Sequence, residues 1–186
     1  MDDFEIPQVY DRVTKILSPF SGMQFIDPDV LAKACLRGSE VHEIIEALQD
    51  GIPTGVIKES LQPYINSYNV WALGKKFIDS PPRLYDEHLL ITGKLDCIYE
   101  GPEGLILVDF KTSASEGKTW KYQGSAYSHM CKEKGYDIKS IEFVQLSKAG
   151  RPARSYWYKE DMDHFKILLA VYREFFKSNQ FDLGDI

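Results

Sequence analysis

The chain has 186 residues, 44% of them hydrophobic and 13% aromatic, which is enough apolar mass for one packed domain and too much for a disordered tail. Its formal charge of -6 excludes a globally basic nucleic-acid binder, so any polyanion must be met by a local basic groove. No apolar run approaches the roughly 18 residues of a membrane span. The acidic opening MDDFEIPQVY also lacks the basic and apolar regions of a secretory signal. Cys35, Cys97 and Cys131 are odd in number and show no CxxC spacing, so they read as thiols of a reducing compartment. A soluble cytoplasmic protein is the expectation.

Residues 1–27 carry little periodicity and several turn formers, among them Ser18-Pro19 and Ser21-Gly22, and read as a loosely packed N-terminal arm. Asp27-Pro28-Asp29 then opens a helix, with Asp27 as N-cap and Pro28 at the first helical position. Val41, Ile44, Ile45 and Leu48 form an apolar stripe at 3.6-residue spacing that ends before Asp50-Gly51, and Gly38-Ser39 either interrupts the helix or starts a second turn. His42 falls on the flank of that stripe, where a histidine serves either as a hydrogen-bonded packing residue or as a ligand. Residues 52–76 read as further helix broken at Pro53, Gly55 and Pro63, with Trp71, Leu73 and Phe77 as core candidates. Arg83 to Ile91 reads as a strand. On it Glu87 is either a solvated acid or a third acid near the hairpin that follows.

That hairpin, residues 93–111 (GKLDCIYEGPEGLILVDFK), organises the chain. Gly101, Pro102, Glu103 and Gly104 supply turn chemistry between two β-rich runs. A loop of those four residues pairs Glu100 with Leu105 and Asp96 with Asp109, and directly opposed side chains share a face. Lys111 joins that face because side chains alternate along a strand. Facing carboxylates repel unless a cation or proton lies between them, and a hard divalent ion with oxygen ligands suits them. A lysine beside such an ion can position an attacking water or neutralise charge on a phosphate. The alternative is an edge hairpin with solvated acids. It fits Glu100 and Glu103, but it fits Asp109 poorly, because Asp109 closes a run apolar on both faces, as in a central strand.

A polar loop over residues 112–117 leads to a helix from about Lys118 to Lys134 with Trp120, Gln123, Tyr127 and Cys131 near one face. Gln123 on an inward face needs a polar partner. Either a helix-to-sheet hydrogen bond or a site lysine or substrate phosphate supplies it. Ile138 to Leu146 reads as a strand and Ala153 to Tyr158 as its hairpin partner. In that partner Tyr156, Trp157 and Tyr158 serve core packing or base stacking. From Asp161 a last amphipathic helix carries Phe165, Leu168, Leu169, Tyr172 and Phe176.

Four segments in order, GSEVHEIIEAL, EHLLITGKLDCIY, LILVDFKTS and YQGSAY, resemble the PD-(D/E)XK nuclease superfamily, and within it the RecB-like branch. The resemblance covers residues 38–127. It implies one nuclease domain over residues 1–186 with an α/β, restriction-endonuclease-like core, a mixed β-sheet flanked by α-helices. It implies that Asp96 and Asp109 bind Mg²⁺ or Mn²⁺ together with the backbone carbonyl of Phe110 and His42, with Glu87 as a looser match. Lys111 would orient the attacking water, and Gln123 and Tyr127 would steady the site and contact DNA. The three dispersed cysteines cannot supply the four that hold an iron–sulfur cluster in some members. There is no GxxxxGK[ST] motif, so a helicase or recombination partner would be a separate chain. The expected activity is that of a stand-alone phage- or organellar-type exonuclease trimming DNA ends, single-stranded DNA favoured, in repair or recombination. The alternative is a catalytically inactive binding module on the same fold. Lys75, Lys76, Lys118 and Lys121 are either substrate-attracting bases or plain surface residues.

Overall fold

The computed structural model describes residues 9–177. The chain begins with β1 (Asp11–Arg12), α1 (Val13–Ser21), α2 (Pro28–Gln49) and α3 (Gln62–Ala72). It continues through β2 (Lys76–Asp79), β3 (Leu84–Asp86), β4 (Ile91–Gly93), β5 (Cys97–Gly101) and β6 (Gly104–Lys111). The last elements are α4 (Trp120–Glu133), β7 (Ile138–Gln145), β8 (Arg154–Tyr158) and α5 (Met162–Tyr172), followed by a π-helical turn over Arg173–Lys177.

The larger sheet has the order β2-β5-β6-β7-β8. Its β5–β6 hairpin sets Glu100 opposite Leu105 and Cys97 opposite Val108, the expected register; the ladder ends there, and Asp96, expected opposite Asp109, lies in the bend just before β5. Gly101 pairs with Gly104, so the strands reach one residue further than the sequence indicated and only Pro102-Glu103 forms the loop. The α4 crossover brings β7 alongside β6 in parallel, with Leu107 opposite Ile141 and Lys111 opposite Gln145. β8 returns antiparallel, and β2 lies antiparallel on the opposite edge. β6 is therefore the central strand, which accounts for apolar residues on both its faces.

Alternation along the strands divides the core in two. Ile98, Leu107, Ile141 and Phe143 pack with Ile16 of α1, Met130 of α4 and Phe165 of α5. Ile106, Val108, Phe110 and Val144 pack with Val41 and Ile45 of α2 and Ile65 of α3. Each such fully buried apolar side chain contributes about 1.5–3 kcal/mol relative to exposure. The result is an α/β architecture, a mixed sheet flanked by helices, consistent with a restriction-endonuclease-like core. Among the described residues no helix is long and apolar enough to cross a membrane.

Several local expectations are corrected. The segment up to residue 27 is no loose arm over its described part: α1 buries Val13, Ile16 and Leu17. Pro19 lies inside that helix and Gly22, at φ 81°, closes it. Asp11 Oδ2 accepts from Arg173 Nε at 3.1 Å and Lys177 Nζ at 3.0 Å, tying β1 to the π-helical turn. Residues 1–8 of the expected arm lie outside the described residues. Helix α2 begins as expected, Asp27 Oδ1 accepting the amides of Asp29 and Val30, and runs unbroken through Gly38-Ser39. Leu73 is exposed, whereas Trp71 and Phe77 pack against the second core. Tyr156 and Tyr158 pack on the first core while Trp157 faces solvent. Phe176 lies beyond α5, edge-on to Phe20.

The stretch from Arg83 to Ile91 is two strands and a turn. β3 ends at Asp86, whose Oδ1 accepts the amides of His88 and Leu89 at 2.8 and 2.7 Å, and residues 87–90 form the turn into β4. With β1 these two strands make a three-stranded sheet, β1-β4-β3.

Candidate functional site

The expected hairpin acids lie where β5 and β6 part. Buried Leu95 anchors the approach to Asp96, whose N–H donates to the Val108 carbonyl at 3.2 Å. Asp96 Oδ2 accepts from the Phe110 N–H at 2.6 Å, and Oδ1 lies 2.6 Å from His42 Nδ1. His42 reaches it from the flank of α2 because Val41 and Ile45 are held in the core. Across the hairpin, Asp109 Oδ1 accepts from Gln123 Nε2 at 2.9 Å. Lys111 Nζ stands 2.6 Å from Asp109 Oδ2, donates to Gln123 Oε1 at 3.2 Å and lies 5.2 Å from the centre of the Phe143 ring. The Lys111 ammonium thereby meets the otherwise buried Oδ2 of Asp109 directly.

Gln123 meets both alternatives raised for it at once, bonding the sheet acid and the lysine. Its Nε2 also donates to Tyr127 Oη at 3.2 Å, one turn further along α4. Tyr127 is buried against Gly93 of β4, where a Cβ would lie 2.3 Å from its Cε1. That close approach explains the glycine three residues before Asp96.

The two acids are driven apart in acidity. Burial raises Asp96, but the His42 charge and hydrogen bond, the Phe110 N–H and Lys111 together hold it below the ordinary aspartate value. Burial dominates at Asp109, and with the Asp96 charge it outweighs Lys111 and His42, so Asp109 is held above that value. Burial opposes charge on His42, yet Asp96 first and Asp109 second hold the imidazolium above its ordinary 6.5. Burial pushes the Tyr127 hydroxyl up, keeping it protonated.

Comparison with solved structures finds similarity to an alkaline exonuclease from Laribacter hongkongensis, at 8% identity over 91% of this chain and 89% of that one, with a TM-score of 0.47. The chain is also similar to the protein SSO0001, at 15% identity over 91% of this chain and 77% of that one, with a TM-score of 0.43. No family model and no curated protein matches.

The donor set suits a hard cation. Two carboxylates converge with an imidazole, and the positive charges of His42 and Lys111 stand where an ion would otherwise balance them; His42 would ligate that ion only as the neutral ring. Phe110 presents its N–H to Asp96. A strand residue's N–H and C=O point to the same edge, which turns the Phe110 carbonyl toward Asp96 as well. Its side chain lies in the second core.

Glu87 does not join this group: it is exposed in the turn after β3, and the buried acid there is its neighbour Asp86. Among the described residues, three ligand atoms fall within 4.8 Å of one another at Asp86, His129 and Glu133 rather than at His42, Asp96 and Asp109. Of the four lysines weighed for substrate attraction, Lys76 pairs with Glu100 at 2.5 Å, Lys121 with Asp161 at 2.5 Å, and Lys75 lies 4.7 Å over both the Trp71 and Tyr99 rings. Lys118 and Lys121 line a cleft of about 310 Å³ with Glu116, Tyr122 and Tyr158 beside the start of α4.

Sequence reasoning missed two residues nearby. Arg37, five residues before His42, stacks 5.7 Å over Tyr64 and reaches the Thr112 carbonyl at 3.5 Å. Glu142, buried in β7, accepts from Trp71 Nε1 at 2.9 Å, from Tyr99 Oη at 2.8 Å and from Ser155 Oγ. The only signal for Glu142 was an acid inside the apolar run IEFV.

Proposed function

We propose that this chain is a divalent-metal-dependent DNA nuclease of the PD-(D/E)XK superfamily, RecB-like in its motifs, that hydrolyses phosphodiester bonds at DNA ends. The observation that carries the reading is the constellation at the end of the central strand: Asp96 held on the Phe110 N–H and His42 beside Asp109, with Lys111 and Gln123 locked onto Asp109. Asp96, Asp109, the Phe110 carbonyl and His42 would hold Mg²⁺ or Mn²⁺. When bound, such an ion polarises a phosphoryl oxygen and lowers the pKa of a water.

The remaining work falls to the chain. Lys111 keeps an ammonium group on the Asp109 side of the site, where it orients the attacking water and meets charge developing on the phosphate. Gln123 fixes the rotamer of Asp109 and the direction of Lys111 together, and Tyr127 fixes Gln123. His42 and the Phe110 N–H set the orientation of Asp96. These groups are preorganised by hydrogen bonds before substrate arrives, which lowers the reorganisation needed during reaction.

The test is cleavage of end-labelled linear single-stranded DNA beside a circular one, with Mg²⁺, with Mn²⁺ and with EDTA. Metal-dependent loss of the linear substrate alone is expected. Cutting of both would make the protein an endonuclease, and no cleavage of single-stranded DNA, duplex DNA or RNA would overturn the reading in favour of a binding module. Lys111→Ala is expected to abolish cleavage while DNA binding stays measurable. An equally active Lys111→Ala protein would remove the role given to that lysine.

A further inference from the structure

Away from the hairpin acids, α4 and the end of β3 bring together a second set of donors. His129 and Glu133 are one turn apart on α4, and Asp86 meets them from the other side. His129 Nε2 lies 3.2 Å from Asp86 Oδ2 and 3.7 Å from Glu133 Oε1. Ligand atoms at the corners of a tetrahedron with bonds of about 2.0–2.1 Å stand about 3.3–3.4 Å apart. The two separations bracket that spacing.

Asp86 separates this group from a solvated charge cluster. Its side chain is fully buried, and Oδ2 has no aligned hydrogen-bond donor although the imidazole nitrogen is close. Oδ1 is held by the His88 and Leu89 amides, so the carboxylate cannot turn away, and Oδ2 stays aimed at His129. A buried carboxylate oxygen without an aligned donor is costly unless a cation meets it. An ion lying between the three groups would satisfy it without requiring the imidazole N–H to point at it.

We propose that Asp86, His129 and Glu133 form a zinc site that pins α4 to the β3 turn. One imidazole and two carboxylates make a three-ligand set of the kind that holds Zn²⁺ with water in the fourth position. His129 and Glu133 remain partly exposed, which leaves an entry path and a fourth position for water. The proposal stands independently of the nuclease reading.

The test uses the full chain, stripped with EDTA and titrated with Co²⁺ and then Zn²⁺, read by the visible bands of tetrahedral Co²⁺ and by calorimetry. Carrying Asp96→Asn and Asp109→Asn removes the hairpin acids from the count. About one equivalent of Co²⁺, displaced by Zn²⁺, is expected in that variant. Adding His129→Gln, at a half-buried position, or Glu133→Gln, at an exposed one, should weaken uptake at least tenfold while far-ultraviolet circular dichroism stays that of the parent. In the chain with intact hairpin acids, the same two substitutions should lower the Zn²⁺ count by one. No Co²⁺ uptake, or uptake unchanged by His129→Gln and Glu133→Gln, overturns the proposal.

Discussion

Gly93→Ala tests whether the site depends on the seat of Tyr127. A Cβ at position 93 would stand 2.3 Å from Cε1 and 2.9 Å from Cδ1 of the tyrosine ring. Carbon atoms in contact sit about 3.5–4.0 Å apart, so the ring must retreat by about 1.2 Å or more. Tyr127 is buried at 3% exposure and cannot swing into solvent. Overpacking of this kind costs about 1–3 kcal/mol. For a chain of this size that lowers the melting temperature by about 2–12 °C. A displaced ring also pulls its hydroxyl from Gln123, which orients Asp109, so cleavage is expected to fall further than stability does. Thermal melts of Gly93→Ala, alone and combined with Tyr127→Phe or Tyr127→Ala, measure the coupling. Phenylalanine keeps the clash and alanine removes it, so only the alanine double variant should be more stable than the sum of its parts. A Gly93→Ala protein that melts with its parent, or a double variant with additive losses, would refute the argument.

Replacing Glu142 by Gln leaves one acceptor oxygen for donors from Trp71, Tyr99 and Ser155 and turns an amide N–H toward one of them. Loss of about 1–3 kcal/mol is expected from urea unfolding, with little change if the carboxylate is not what those donors need. The His42–Asp96 pair makes stability depend on pH. Because His42 is held above its ordinary 6.5, its contribution is full below that value and fades as pH rises through the higher folded-state one. Asp96 is held low, so its contribution is present above its ordinary 3.8 and is lost as pH falls through the lower folded-state value. In EDTA, the melting-temperature gap between the parent and His42→Gln should therefore be wider near about pH 5.5 than about pH 8.5. A gap that grows with pH contradicts the assignment. Calorimetry with Mn²⁺ is expected to show binding that Asp109→Asn removes, whereas unchanged uptake would place the ion elsewhere.

What was legible in the sequence was local and strongly marked. The turn residues 101–104 and the apolar run after them dictate the hairpin register, and Asp27-Pro28 marks the start of α2 through an N-cap and a residue that needs no amide donor. The demand that a buried Gln123 find polar partners was legible, but not which ones, and it bonds Asp109, Lys111 and Tyr127. Failures came where tertiary contacts overrule local signals. Pro19 and Ser21-Gly22 read as an irregular arm because each breaks periodicity, yet Val13, Ile16 and Leu17 gain enough from burial to hold a nine-residue helix. Glu87 was singled out beside the residue that matters: Asp86 ends the strand by capping the amides of the following turn, and that carries its neighbour into solvent. Glu142 shows only as an acid inside an apolar run, because two of its three donors, Trp71 and Tyr99, come from elements far away in sequence.

The parallel pairing of β6 with β7 has a consequence for how the molecule is made. A parallel neighbour cannot be added by a tight turn, so residues 112–137 must be synthesised and α4 laid across the sheet before β7 can join. Until then β6, eight residues long and apolar on both faces, presents an open edge of the kind that pairs with foreign strands. His42 has already left the ribosome by that stage, but Gln123 and the Phe143 ring have not, so Asp109 and Lys111 wait without the partners that orient them. Completion of the site is thereby coupled to closure of a long-range contact. The nascent chain is most prone to misassociation in the interval between the emergence of Lys111 and that of Gln145.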